Sequence, residues 1–185
     1  MTHELIHLAF PSVPREHRWL EEGLATYVEP IARARARQLS AERVWEDLMR
    51  DLPQGLPQPG DRGLDFTHTW GRTYWGGALF CLLADVEIRE RTHNQRGLEH
   101  ALRAIVAAGG RADHEWDLSR ALAVGDSATG VPVLMERYAQ MRSTPFSVDL
   151  PALWRRLGVR QEGGRVLFDD GAPLAGVRRS ITSGD

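Results

Sequence analysis

Residues 69–91 of the 185-residue chain read TWGRTYWGGALFCLLADVEIRER. Apolar side chains occur in this stretch on every side of a helix, which is typical of a helix that is buried on all faces. They are Leu79, Phe80, Leu82, Leu83, Val86 and Ile88. We therefore predict a long helix over 69–91 at the centre of a hydrophobic core.

Shorter segments with helical apolar spacing flank this helix on both sides and end at glycine or proline. Pro30 is expected to kink or break the second helix of the chain, because proline cannot donate the backbone hydrogen bond of a helix interior. The further helices are expected at 1–10, from 15 to Pro30, from Ser40 onward, and at 98–108, 118–124, 131–141 and 150–157.

The C-terminal part of the chain has the pattern of a small hairpin or edge strand. The run Arg165–Phe168 lies between two glycines and the turn-forming sequence DDG. The last six residues, SITSGD, are expected to be a frayed tail. The predicted fold class is mainly α, with a helical domain over 1–157 and a C-terminal hairpin and tail over 158–185.

The charge pattern excludes some classes of partner. The chain has 23 Lys and Arg and 25 Asp and Glu, which are interspersed and give a net charge of -2. Nucleic acid is not an expected partner, because its binding faces concentrate positive charge. No apolar run approaches the roughly 18 to 20 residues that a membrane-spanning helix needs, so no transmembrane segment is predicted.

The single cysteine, Cys81, cannot form an intramolecular disulfide and is expected to be a buried thiol. No signal-like stretch precedes the first motif of the chain. A lone thiol does not distinguish between compartments, so the sequence leaves the localisation open.

The first motif with chemical meaning is HELIH at residues 3–7, an HExxH sequence. His3 and His7 are four residues apart and share one helix face, where both imidazoles can bind one Zn²⁺. Glu4 then lies beside the metal, where it can take a proton from zinc-bound water and pass it to the leaving amine. The pattern predicts a catalytic zinc site, although the same five-residue pattern also arises by chance on amphipathic helices.

A catalytic zinc requires a third protein ligand and an open position for water. The stretch WLEEGLATY at residues 19–27 has two acids, Glu21 and Glu22, on the second predicted helix. A turn over 10–15 would let this helix pack antiparallel on the first and bring a carboxylate to the zinc. The spacing alone leaves both acids open as the ligand.

HELIH and WLEEGLATY together resemble the gluzincin zinc peptidases, especially the glycyl and alanyl-type aminopeptidases and their bacterial relatives with a peptidase-MA-like domain. In that family the acidic ligand directly precedes a glycine, so the resemblance makes Glu22 the third ligand and Glu21 a supporting or surface acid. The short connection between His7 and Glu22 is more similar to the peptidase-MA-like relatives than to thermolysin. The implied fold is the helical C-terminal half of a thermolysin-like catalytic domain, and the implied cofactor is one Zn²⁺ per chain.

A third segment, YWGGAL from Tyr74, is similar to the tyrosine-x-x-glycine segment that opens a long helix in the same family. The resemblance implies that the Tyr74 hydroxyl supports the developing oxyanion, where a donor stabilises charge that appears only in the transition state. The alternative is that Tyr74 is one more core aromatic beside Trp70 and Trp75. The resemblance covers about residues 3–108, and after residue 108 only a general helical character remains.

The resemblance implies a peptidase that hydrolyses peptides or proteins. It also implies a β-rich subdomain before the zinc helix, and we expect that subdomain to be missing because the motif begins at residue 3. The chain would then be a fragment of a longer protein, or a truncated form that binds zinc weakly. Two alternatives are a non-catalytic, zinc-stabilised helical module that binds peptides, and a plain helical domain with a chance HExxH.

The remaining histidines are expected at the protein surface, because they show no ligand spacing relative to one another. His68 is the partial exception, since it precedes Tyr74 by six residues and could line the same cleft. The others are His17, His93, His100 and His114.

Overall fold

The structure is a computed structural model that describes residues 6–183 of the chain. The predicted ligand His3 and the predicted base Glu4 lie outside the described residues, as do residues 184–185. The described chain is mainly helical with a small two-stranded antiparallel sheet, which confirms the mainly α prediction and the C-terminal hairpin.

The helices and strands follow one another with short connections. Residues 6–8 are helical, and a 3-10 turn at Arg15–His17 leads into the first complete helix. In chain order the elements are α1 (Arg18–Arg35), α2 (Ala41–Asp51), a 3-10 turn (Leu52–Gly55), a π-helical turn (Arg72–Gly76), α3 (Gly77–Arg91), α4 (Leu98–Ala107), α5 (Leu118–Thr129), α6 (Val133–Met141), α7 (Leu150–Leu157), β1 (Val159–Glu162), β2 (Arg165–Phe168) and α8 (Ala175–Ser183).

The central helix is α3, as its apolar sequence predicts. Twelve of its fifteen residues are buried, and they lie on all sides of the helix. Cys81 is among them, which confirms the expected buried thiol, and burial raises the pKa of that thiol. Helices α1, α4, α6 and α8 pack directly against α3.

Helix α1 packs along α3 through two glycines. A Cβ atom on Gly23 would lie 2.3 Å from the backbone carbon of Gly77, and one on Gly77 would lie 2.0 Å from the carbonyl oxygen of Trp19. No side chain larger than hydrogen fits at either position unless the helices separate. This close approach fixes α1, which carries Glu22 next to Gly23, against the start of α3.

Pro30 was predicted to kink or break this helix, and a break is wrong, because α1 continues through this residue to Arg35. Tyr27 before Pro30 and Ile31 after it are both buried in the core. At the end of the helix, the Arg35 guanidinium donates to the backbone oxygens of Ser180 (3.0 Å) and Ile181 (2.9 Å). These tertiary contacts offset the cost of roughly 3 kcal/mol for a proline inside a helix.

The C-terminal segment differs from the frayed tail predicted for residues 180–185. Residues up to Ser183 belong to helix α8, and the side chain of Ile181 is fully buried. The hairpin also packs on the helices, since Val159 and Val166 belong to the same core cluster as the residues of α3. The part of 158–185 that the structure describes therefore shares the core of the preceding helices.

Within residues 6–183, none of the helices has both the length and the apolar character needed to cross a membrane.

Candidate metal centre

His7 and Glu22 approach each other across the connection between the first helical turn and α1. The Nε2 atom of His7 lies 3.6 Å from Oε2 of Glu22. Glu22 is only 7% exposed and faces a cavity that His7 also lines. The 3-10 turn at Arg15–His17 lies between the two residues in the chain. The structure thus brings together one imidazole and one carboxylate of the predicted zinc site.

This spacing fits a shared zinc ion. Zn–N and Zn–O bonds of roughly 2.0 to 2.2 Å place two ligand atoms of a tetrahedral site about 3.4 Å apart. The 3.6 Å between the atoms of His7 and Glu22 is close to that value. Within residues 6–183 no group of three or more His, Cys, Asp or Glu side chains is arranged to hold a metal. The complete set with His3 and Glu4 stays a prediction, since those two residues are not described.

The two acids of WLEEG have different surroundings. Glu22 faces His7, whereas Oε1 of Glu21 accepts a hydrogen bond from the backbone N–H of Val13 at 2.7 Å. Glu21 therefore fixes the connection that precedes α1, and Glu22 is the acid that lies beside the imidazole. This geometry distinguishes two residues that the sequence spacing leaves equivalent.

Arg18 holds the carboxylate of Glu22 from the opposite side. Its Nε and one terminal nitrogen donate to Oε1 of Glu22 at 3.2 and 3.1 Å, while the other oxygen, Oε2, faces His7. Arg18 was not among the predicted site residues. The spacing of four residues between Arg18 and Glu22 on a helix is the signal that could have identified it.

Tyr74 lies in the π-helical turn at the start of α3 and is half-buried. It lines the same cavity of about 490 Å³ as His7 and Glu22, so the structure places three of the five predicted site residues around one space. The ring of Tyr74 also lies 5.7 Å from that of Trp70. π-Helical turns inside α-helices are frequent at functional sites because they redirect individual side chains.

The turn that carries Tyr74 is anchored by Arg72. The Arg72 guanidinium is almost fully buried, and its Nε lies 2.7 Å from Oδ2 of Asp61. It also donates to the backbone oxygen of Gly55. Because a buried arginine needs such partners, the segment around Gly55 and Asp61 is held against the Tyr74 turn.

Asp65 joins the start of α1 to distant parts of the chain. This buried carboxylate lies 2.9 Å from Nδ1 of His17 and accepts hydrogen bonds of 2.9 Å from Trp19 Nε1 and the Tyr138 hydroxyl. Burial and the hydrogen bond to Asp65 raise the pKa of Tyr138. His17 is thus a half-buried, bonded residue rather than the surface histidine that we predicted, and no local pattern indicated its partner 48 residues away.

A second buried acid, Asp85, joins α1, α3 and α4 beneath the site. It accepts hydrogen bonds from the Tyr27 hydroxyl at 2.9 Å, from Arg89 Nε at 2.9 Å and from the backbone N–H of Leu98 at 3.0 Å. Burial raises the pKa values of both Asp85 and Tyr27. All partners of Asp85 are internal, so its part is to hold these helices together.

Comparisons with known proteins gave no match: no family model matches the sequence, and neither a curated protein nor a solved structure is significantly similar to the chain. The resemblance to the gluzincins therefore rests on the sequence motifs HELIH and WLEEGLATY.

Proposed function

We propose that this chain is the helical part of a gluzincin-type zinc peptidase. One observation carries the proposal. The carboxylate of Glu22, on α1, lies 3.6 Å from the imidazole of His7, as expected if HELIH and WLEEGLATY supply ligands to one ion. If the HExxH sequence were a chance pattern, nothing would require an acid from a separate helix to lie at ligand distance from its second histidine.

In the proposed site, the imidazoles of His3 and His7 and the carboxylate of Glu22 hold Zn²⁺. When bound, Zn²⁺ polarises the scissile carbonyl and lowers the pKa of a coordinated water toward about 7. Glu4 would act as the general base that takes a proton from the attacking water and as the general acid that gives it to the leaving amine. Tyr74 donates a hydrogen bond to the oxygen that becomes negative in the tetrahedral intermediate.

The shape of the cleft supports a peptide as the substrate. The cavity around His7, Glu22 and Tyr74 is open to solvent, and its volume of about 490 Å³ falls in the range of roughly 300 to 1,000 Å³ typical of ligand sites. Ser12 and Ala112, which also line the cavity, have small side chains. An extended chain can therefore reach the two groups proposed to hold the metal.

The decisive experiment measures zinc content by elemental analysis and zinc affinity by competition with a chromophoric chelator. We expect one zinc per chain. Replacement of Glu22 by glutamine should lower the zinc affinity by more than roughly 10- to 100-fold, which is the usual effect of changing a residue that contacts a metal ligand. The matched control is Glu21→Gln, which alters the adjacent acid and should retain the zinc.

Hydrolysis of internally quenched peptides then tests the assignment of the base. Glu4→Gln should keep the zinc and abolish turnover, and full turnover in that variant would show that Glu4 is not the base. A chain that binds zinc and peptides without cleaving them would instead be the non-catalytic helical module. A chain without zinc affinity would exclude both functions.

A further inference from the structure

A second cavity adjoins the candidate metal centre. Its volume is about 630 Å³, and it shares Arg18 and Tyr74 with the first cavity, so the two lie side by side. We call it the outer chamber and define it by the residues that matter to its chemistry: Arg15, Arg18, His68, Trp70, Thr73 and Tyr74. A ligand in the first cavity can extend into this chamber past Tyr74.

The walls of the outer chamber are fixed relative to each other. One wall is the 3-10 turn at Arg15–His17 together with the start of α1, and the other is the segment that leads from residue 64 to the Tyr74 turn. Asp65 joins them, because its carboxylate on the second wall is bonded to Trp19 and His17 on the first. Asp65 is only 4% exposed, so water does not compete strongly for these bonds. The chamber is therefore a preformed space.

The chamber offers positive charge to a ligand. Arg15 and Arg18 line it together with one acid, Glu16. Arg18 is already bonded to Glu22, whereas the exposed side chains of Arg15 and His68 make no hydrogen bond or ion pair within residues 6–183. A planar guanidinium binds a carboxylate through two parallel hydrogen bonds. Arg15 is thus the group in this chamber that is available for a carboxylate.

The chamber also has an aromatic wall. The side chain of Trp70 is 61% exposed, and its ring packs beside that of Tyr74 at 5.7 Å. Tryptophan and arginine are the residues that most often dominate binding energy, because one offers a large rigid apolar face and the other directed hydrogen bonds. Trp70 can therefore cover an apolar side chain next to the carboxylate.

We propose that the outer chamber binds a carboxylate of a peptide ligand, with Arg15 pairing with the carboxylate and Trp70 covering the adjoining side chain. That the ligand is the substrate of the adjoining site rests on the proposed function. The carboxylate belongs to the end of the peptide or to an acidic side chain, and both sources present the same chemistry to Arg15.

The test is calorimetric titration of the zinc-free chain with N-acetyl-Ala-Ala-Phe as the free acid, as the C-terminal amide, and as the amide with Glu in place of the central alanine. A free acid that binds about tenfold more tightly than the plain amide identifies the terminal carboxylate. If the Glu-containing amide instead binds about tenfold more tightly than the plain amide, the carboxylate is that of an acidic side chain of the peptide. Either preference should disappear in Arg15→Gln, and Trp70→Ala should weaken all three peptides.

The control is Arg155→Gln, which removes an exposed guanidinium on α7 outside the chamber and should leave binding unchanged. Equal binding of all three peptides, no binding at millimolar concentration, or an unchanged preference in Arg15→Gln would overturn the inference. Zinc content is measured separately. If the chain has no zinc affinity but still prefers carboxylates, only the proposed peptidase function is refuted. If the chain binds zinc but shows no preference for carboxylates, only the proposed role of the outer chamber is refuted.

Discussion

The guanidinium of Arg18 holds one oxygen of Glu22 at 3.1 Å and leaves the other oxygen facing His7. Because the two residues are one turn apart on α1, the helix itself sets their spacing. A carboxylate held in this way loses less rotational freedom when it binds a metal. Arg18 is therefore a positioning residue for the proposed zinc site.

Replacement of Arg18 by glutamine should lower zinc affinity by about 10- to 100-fold, since changes in the partners of metal ligands usually have effects of this size. Chelator competition measures the affinity, and Arg18→Lys should recover part of it. Arg33→Gln is the matched control, because Arg33 also pairs with an acid one turn away on α1. Equal affinities of Arg18→Gln and the wild type would show that the bond to Glu22 does not position the ligand.

Replacement of Tyr74 by phenylalanine tests its proposed part in the oxyanion site. The ring and its packing on Trp70 remain, so zinc affinity and KM should be unchanged. Loss of a single oxyanion donor lowers kcat by roughly 100- to 1,000-fold. Steady-state kinetics on quenched peptides measure both constants. A variant with the wild-type kcat would show that the Tyr74 hydroxyl has no part in catalysis.

The contact between Gly23 and Gly77 predicts a strong effect of one added methyl group. Gly23→Ala should destabilise the chain by about 2 kcal/mol or more, because overpacking outweighs the roughly 1 kcal/mol that alanine gains over glycine in a helix. Thermal unfolding should show a midpoint lower by several degrees. Gly176→Ala on α8 is the control, since no atom lies within 4 Å of its added Cβ, and it should be neutral or slightly stabilising.

The pKa of Glu99 predicts a dependence of stability on acidity. Burial would raise this pKa, but the Arg89 guanidinium, whose terminal nitrogen lies 2.8 Å away, and the more distant Arg35 lower it from its ordinary value of 4.5. Asp85 and His100 also face this cluster. Since the folded pKa lies below the unfolded one, the stabilisation is fully present above about pH 4.5 and is lost as the pH falls through the folded value.

Urea unfolding between pH 3 and pH 6 checks this dependence. We expect the difference in unfolding free energy between the wild type and Glu99→Gln to shrink as the solution is acidified. Glu162→Gln is the control, because Glu162 lies exposed on β1 and pairs only with Arg160 among the described residues. A difference that stays constant across this range would show that Glu99 does not contribute through its charge.

The mainly helical fold, the central helix and the hairpin could be predicted from the sequence. These features follow from short-range patterns: apolar residues on all sides of 77–91, and glycines around two short strands. Spacing and resemblance also selected His7, Glu22 and Tyr74, which the structure places around one cavity. Arg18, the partner of Glu22, could also have been predicted from a local pattern, because the two residues are four apart on one helix.

Three features could not be predicted from the sequence: the continuation of α1 through Pro30, the helix at the C-terminus and the partners of Asp65. Each depends on residues far apart in the chain, such as Arg35 with Ile181 and Asp65 with Tyr138. Local propensity describes the energy of a segment alone in water. It cannot include contacts that form only after the helices have packed, and these contacts outweigh a proline or a polar tail.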